Sequence, residues 1–70
     1  MERNSVNSSN IAGIGYEPTS QLLEVAFHSG SVYQYSGVPV TIYEAFLTAG
    51  SHGKYFYSHI RDKYPDVKIR

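Results

Sequence analysis

The sequence predicts an α+β domain: a three-stranded antiparallel β-meander followed by two α-helices packed on one of its faces. Two patterns and a break between them carry this. Leu23, Val25 and Phe27 alternate with Leu22, Glu24 and Ala26, the period of a sheet with one buried and one wetter face. Phe56, Ile60 and Tyr64 recur at spacings of four, the period of a helix. Between the two regimes stands Ser36-Gly37-Val38-Pro39, whose proline cannot donate to a ladder and whose glycine relaxes the backbone.

Residues 1–10 are rich in Asn and Ser, lack periodicity and are expected to form a flexible lead-in. Ile11 to Tyr16 reads as the first strand, ended by the turn-forming stretch Glu17-Pro18-Thr19-Ser20, and Leu22 to Phe27 as the second. His28-Ser29-Gly30 then reverses the chain, because Gly30 can take the left-handed backbone of a three-residue loop with a bulge. That loop length sets the register: Phe27 faces Ser31, Val25 faces Tyr33 and Leu23 faces Tyr35. Both tyrosines thereby join the apolar face of the second strand, whereas a two-residue turn would move them to the side of Glu24 and Ala26.

Thr41-Ile42-Tyr43-Glu44 fits a capping box, in which hydroxyl and carboxylate satisfy free amides at a helix start. Ile42, Ala45, Phe46 and Ala49 would be the buried stripe of this first helix, and Gly50 its C-terminal cap. Ser51 can cap a second helix that runs to about Lys63, since Pro65 forbids continuation. Besides its inward stripe this helix carries Lys54, Tyr57 and Arg61 on one face and His52, Tyr55 and His59 on another. The domain is accordingly placed at 11–64, with 65–70 as a C-terminal tail.

A single domain of 70 residues has a small core, burying only about 60% of the surface its unfolded chain exposes. Trp and Cys are absent, so three Phe, seven Tyr and the aliphatics must fill that core without disulfides or thiolate metal sites. A shared dimer core would help, and the uncharged first strand or the helix pair is the expected homodimer contact. The lack of cysteine suits a reducing cytoplasm. The polar start Met1-Glu2-Arg3-Asn4 has no apolar run resembling a signal or membrane span, so a cytoplasmic protein without a membrane partner is expected.

Formal net charge is zero, which argues against a protein that grips polyanions with its whole surface. The charges are nevertheless uneven. Residues 1–50 hold one base, Arg3, against Glu2, Glu17, Glu24 and Glu44. Residues 51–70 hold Lys54, Arg61, Lys63, Lys68 and Arg70 against Asp62 and Asp66, a basic pole.

Cations interleaved with rings on the second helix are the combination that single-stranded RNA recognition uses. Lys54, Arg61 and Lys63 would contact phosphate, and Tyr55 or Tyr57 would stack on bases. Tyr33 and Tyr35 share a face and could form a stacking platform, but the register sets them where helices must pack, so their expected role is structural. His52 and His59 lie seven apart, and no cysteine or nearby carboxylate completes a set, so no metal or other cofactor is expected. No nucleophile elbow or phosphate-binding loop occurs, and Gly13-Ile14-Gly15 lacks the third glycine of a dinucleotide fingerprint. An enzyme is therefore not the expectation.

Several short segments recur in order: Ser8-Ser9-Asn10-Ile11, Ile14-Gly15-Tyr16, Leu23-x-Val25-x-Phe27, Gly30-x-x-Tyr33-x-Tyr35-x-x-Val38-Pro39, and Gly53-Lys54-Tyr55-Phe56 with Ile60-Arg61. Together they resemble the KTSC domain, a family named for its occurrence at the C-terminus of some lysyl-tRNA synthetases and also found as free-standing small proteins. The resemblance spans roughly Ser8 to Tyr64 and is to the free-standing form. Its Tyr-x-Tyr falls on Tyr33 and Tyr35. What it implies about function is an association with RNA, through the attachment to a tRNA synthetase, and no established activity. On these readings the chain is a small non-catalytic binding module with RNA as its first candidate partner, and a homodimerisation or protein-interaction domain is the alternative. The two differ in whether the bases and tyrosines converge on one groove.

Overall fold

A computed structural model describes all 70 residues. In chain order the elements are β1 (Asn4–Ser5), β2 (Ile11–Glu17), β3 (Leu22–Phe27), β4 (Val32–Tyr35), α1 (Val40–Leu47), α2 (His52–His59) and β5 (Asp66–Lys68). The strands lie in the sheet in that same order, each antiparallel to its neighbour. The expected α+β fold with two helices is present, but the sheet has five strands rather than three. The additional two come from the segments read as lead-in and tail, and both helices are an insertion between β4 and β5. Strands of two and three residues have no room for alternation and are defined by pairing alone.

The central hairpin has the expected register, with Leu23 opposite Tyr35 and Val25 opposite Tyr33. Gly30 supplies the left-handed turn residue at φ +99°, and the Phe27 amide donates to the Ser31 carbonyl at 2.9 Å. On the other side Ile14 faces Val25 and Ile11 faces Phe27. Ile11 and Ile14 could not share a face in a regular strand. A bulge between Ile11 and Gly13 absorbs the extra residue and turns both isoleucines inward, where they are fully buried.

The helices depart from expectation at their ends. The helix begins after Pro39, which stands at the cap with φ −63° and accepts amide hydrogens from Ile42 and Tyr43 on its carbonyl. Proline has no amide to satisfy, so it can stand directly before a helix. Thr41 thus lies inside the first turn and no capping box forms. Gly50 is not the C-terminal cap either: Thr48 ends α1, its hydroxyl donating to the Glu44 carbonyl at 3.0 Å. Of the expected stripe Phe46 is fully buried, while Ala45 faces solvent. Ser51 does cap α2, its hydroxyl accepting the Lys54 amide at 3.3 Å. That helix stops at His59, short of Lys63: Ile60 leaves helical geometry at φ −120°, and Asp62 beyond it takes a left-handed backbone with φ +62°.

The core lies between the sheet and the helices: Ile14, Leu23 and Val25 from the sheet meet Phe46, Phe56 and Ile60. Val38 joins them, and the Tyr16 hydroxyl donates to its carbonyl at 2.5 Å while the Tyr16 ring stacks on Tyr43. The opposite face of the sheet has no helix over it, yet Glu24, Ala26, Val32, Gly13 and Gly15 are buried there. The first residues cover it. A side chain at Gly15 would sit 2.7 Å from the Glu2 carbonyl oxygen, so the close approach of the N-terminal segment requires glycine. Arg3 lies on that segment and pairs with the Glu24 carboxylate, which also accepts from Gln34 Nε2 at 2.9 Å.

Candidate functional site

A cleft of about 700 Å³ opens where the β3–β4 loop end of the sheet meets α2. Phe27, Tyr33 and Tyr35 line it from the sheet, and Gly53, Phe56 and Tyr57 from the helix. Strand alternation brings the first three to one face, and the spacings of three and four bring the second three to one side of α2. The rings brace one another. Tyr33 and Tyr35 are near parallel at 6.5 Å, and Phe56 meets the edges of Phe27 and Tyr35 at 5.5 and 5.7 Å.

The polar part of the lining includes His28, Arg61, Asp62 and Asp66. Arg61 follows Tyr57 by four residues and lays its guanidinium over that ring, 5.1 Å from the centroid. Tyr57 itself is 55% exposed, the most open of the cleft aromatics. Asp66 stands opposite Tyr35 in the β4–β5 ladder, so its side chain rises on the cleft face of the sheet. The chain's single ion pair is Arg3 with Glu24, so neither Asp62 nor Asp66 forms a salt bridge with Arg61.

Tyr35 is the chemically distinctive group. Only 4% of it is exposed, and it lines the cleft. The Tyr16 and Tyr43 hydroxyls have protein partners, Val38 and Asn4; the other five tyrosine hydroxyls have none, and of those five residues Tyr35 is the one that is buried. Burial, reinforced by the nearby Asp66 carboxylate, pushes its pKa up to about 12, so it remains a neutral hydrogen-bond donor.

The five residues expected to bind nucleic acid divide. Tyr57 and Arg61 line the cleft. Lys54, Tyr55 and Lys63 do not. Lys54 is exposed in the first turn of α2, and Lys63 is exposed in the turn beyond it. Tyr55 points toward α1, stacked on Phe46 at 5.7 Å and on His59 at 4.2 Å. Burial, with Tyr64 adding to it, raises its pKa. Tyr33 and Tyr35 pack with the core and also line the cleft. Sequence reasoning passed over Phe27, Asp62 and Asp66. Phe27 was legible in the alternation, but Asp66 sits in a segment with no pattern. No group of three His, Cys, Asp or Glu side chains comes together as a metal site would require.

Fold and cleft define a small α+β domain in which a meander sheet and an inserted helix pair enclose an aromatic recess. The chain belongs to the KTSC domain family, whose profile matches residues 7–64. A KTSC domain protein from Yersinia pestis of known crystal structure is 40% identical and superposes with a TM-score of 0.93, covering 99% of this chain and 97% of that one. An uncharacterised protein from Stutzerimonas stutzeri is 43% identical over 56 residues, which are 80% of this chain and 79% of that protein. A lysine–tRNA ligase from Nostoc is 45% identical over 49 residues, 70% of this chain but only 9% of the ligase. No helix is long and apolar enough to cross a membrane.

Proposed function

We propose that this KTSC domain is a non-catalytic binding module that seats one unstacked base of single-stranded RNA in the aromatic cleft. The observation that carries the reading is the Tyr57–Arg61 pair, an exposed ring and a guanidinium side by side at a cleft floored by Tyr33 and Tyr35. Base stacking asks for such rings, and the phosphate beside the base asks for such a cation. A related stretch within a lysine–tRNA ligase supports RNA as the partner. Lys54 and Lys63, exposed outside the cleft, would contact neighbouring phosphates of a longer strand on this reading. Its expected place of action is the cytoplasm, whose reducing conditions cost a cysteine-free chain nothing.

The test is fluorescence anisotropy with labelled single-stranded RNA and transfer RNA across a salt series. Affinity should fall as salt rises, and Arg61→Gln should shallow the salt dependence by about one unit of slope. Tyr57→Ala should cost about 1–3 kcal/mol if one base stacks there. Equal binding by the Lys54→Gln/Arg61→Gln double variant sinks the proposal.

A second reading, self-association, is supported by the free outer edge of β5, where Val67 and, just beyond the strand, Ile69 are 62% and 49% exposed. The uncharged stretch Ile11 to Tyr16 of β2 is the weaker candidate, since β1 already pairs with its Gly13 and Ile14. A monomer by light scattering at high concentration removes this reading.

A further inference from the structure

The cleft has a polar pattern more specific than stacking requires. Tyr35 offers an unpartnered hydroxyl from a residue only 4% exposed. Directly across the ladder on the same face stands Asp66, with a carboxylate that makes no salt bridge. One donor next to a pair of acceptors is the complement of one acceptor next to two donors. Among the standard bases only guanine presents that edge: its O6 accepts, and its ring N1–H and exocyclic N2–H2 both donate. Adenine offers one donor beside one acceptor, cytosine one donor beside two acceptors, and uracil a single N–H between two carbonyls, so none of them gives the carboxylate two adjacent donors.

We propose that the cleft selects guanine, with Asp66 accepting from N1–H and N2–H2, Tyr35 donating to O6, and Arg61 meeting the attached phosphate. The inference rests on the RNA-binding reading above and narrows it. The main rival is a cationic ligand caged by the same rings and by Asp62 and Asp66. Arg61, its guanidinium over the Tyr57 ring, supplies a phosphate contact that only the nucleotide would use, and a choline control separates the two. Asp62 adds a second carboxylate to the same cleft and strengthens the preference for a donor-rich edge.

The experiment is an amide-shift titration of the whole chain by NMR with the 5′-monophosphates of guanosine, inosine, adenosine, cytidine and uridine, and with choline as cation control. Guanosine monophosphate should move the resonances of Tyr33, Tyr35, Gly53 and Tyr57 and bind about tenfold more tightly than the adenosine nucleotide. Inosine, lacking the exocyclic amine, should fall between. Asp66→Asn and Tyr35→Phe should each erase that ranking, and thermal melts confirm that both variants remain folded. Asp66→Asn swaps one acceptor for a donor and lies on an exposed strand, so it keeps the test open if the Tyr35 variant is unstable. Equal affinity for the adenosine and guanosine nucleotides, or an unchanged ranking in Asp66→Asn, overturns the guanine assignment while leaving RNA binding standing. Shifts with choline and none with any nucleotide overturn both.

Discussion

Arg3 and Glu24 are joined across the one face of the sheet that no helix covers, and the pair fastens the first residues of the chain over the strands beneath. Burial alone would raise the Glu24 pKa, but hydrogen bonds from Gln34 and Arg3 overcome that and hold it below the ordinary 4.5. A carboxylate whose folded value is depressed contributes stability above its unfolded value and loses it as pH falls through the folded one. Glu24→Gln should therefore flatten the loss of stability below about pH 4.5. It should also cost about 1–3 kcal/mol at neutral pH, since Arg3 and Gln34 lose a charged acceptor. Urea midpoints from pH 7 to 3 provide the check, and an unchanged acid slope would refute the pairing.

Gly15 offers a steric test of the same covering. A methyl group there would meet the Glu2 carbonyl at 2.7 Å, whereas at Gly13 it would meet the Asn4 carbonyl at 3.2 Å. Gly15→Ala is thus expected to destabilise by about 1–3 kcal/mol, and Gly13→Ala by less. In a chain shortened by its first three residues the Gly15→Ala penalty should vanish. A penalty that persists in the shortened chain would place the cause elsewhere.

At the alkaline end Tyr35 takes over. Its folded pKa of about 12 lies above the ordinary 10.0, so its contribution is whole below pH 10.0 and drains away as pH climbs toward 12. The slope of stability over that interval should be smaller in Tyr35→Phe. Tyr16 and Tyr55, also raised by burial, keep the remainder. Chemical denaturation between pH 9 and 12 reads this directly, and identical slopes would contradict it.

Gly53 separates stability from binding. It lies in the first turn of α2 and lines the cleft, and nothing stands within 4 Å of where its Cβ would be. Gly53→Leu should firm the helix by roughly 0.5–1 kcal/mol while its side chain enters the recess. A variant that melts higher and binds nucleotide more weakly is the expected pair of results. If binding is untouched, the cleft is not where the ligand sits.

The hairpin register was legible because one residue, Gly30, decides the loop length and the loop decides which face Tyr33 and Tyr35 share. Ser51 was legible for a similar reason: its hydroxyl satisfies a local amide, and no distant residue is needed. What could not be read depended on distant partners. Asn4 and Asp66 become strand residues only because Ile14 and Tyr35 lie alongside them. Thr41 loses its capping role to a neighbouring proline whose carbonyl does the same work. At the site, helical spacing correctly grouped Tyr57 with Arg61, but placing Asp66 beside Tyr35 required the fifth strand.

That fifth strand is separated from its neighbour β4 by the entire helix pair. Its pairing closes a loop of about thirty residues, an entropy cost that the local β2–β3–β4 hairpins do not carry. The three-residue β5, all of it exposed, is then the segment expected to dock last and fray first. Because Asp66 travels with it, the recess should gain and lose its acidic wall on the timescale of that fraying. A ligand that bridges Tyr35 and Asp66 would slow amide exchange at Val67 and Lys68 as well as at the residue it holds.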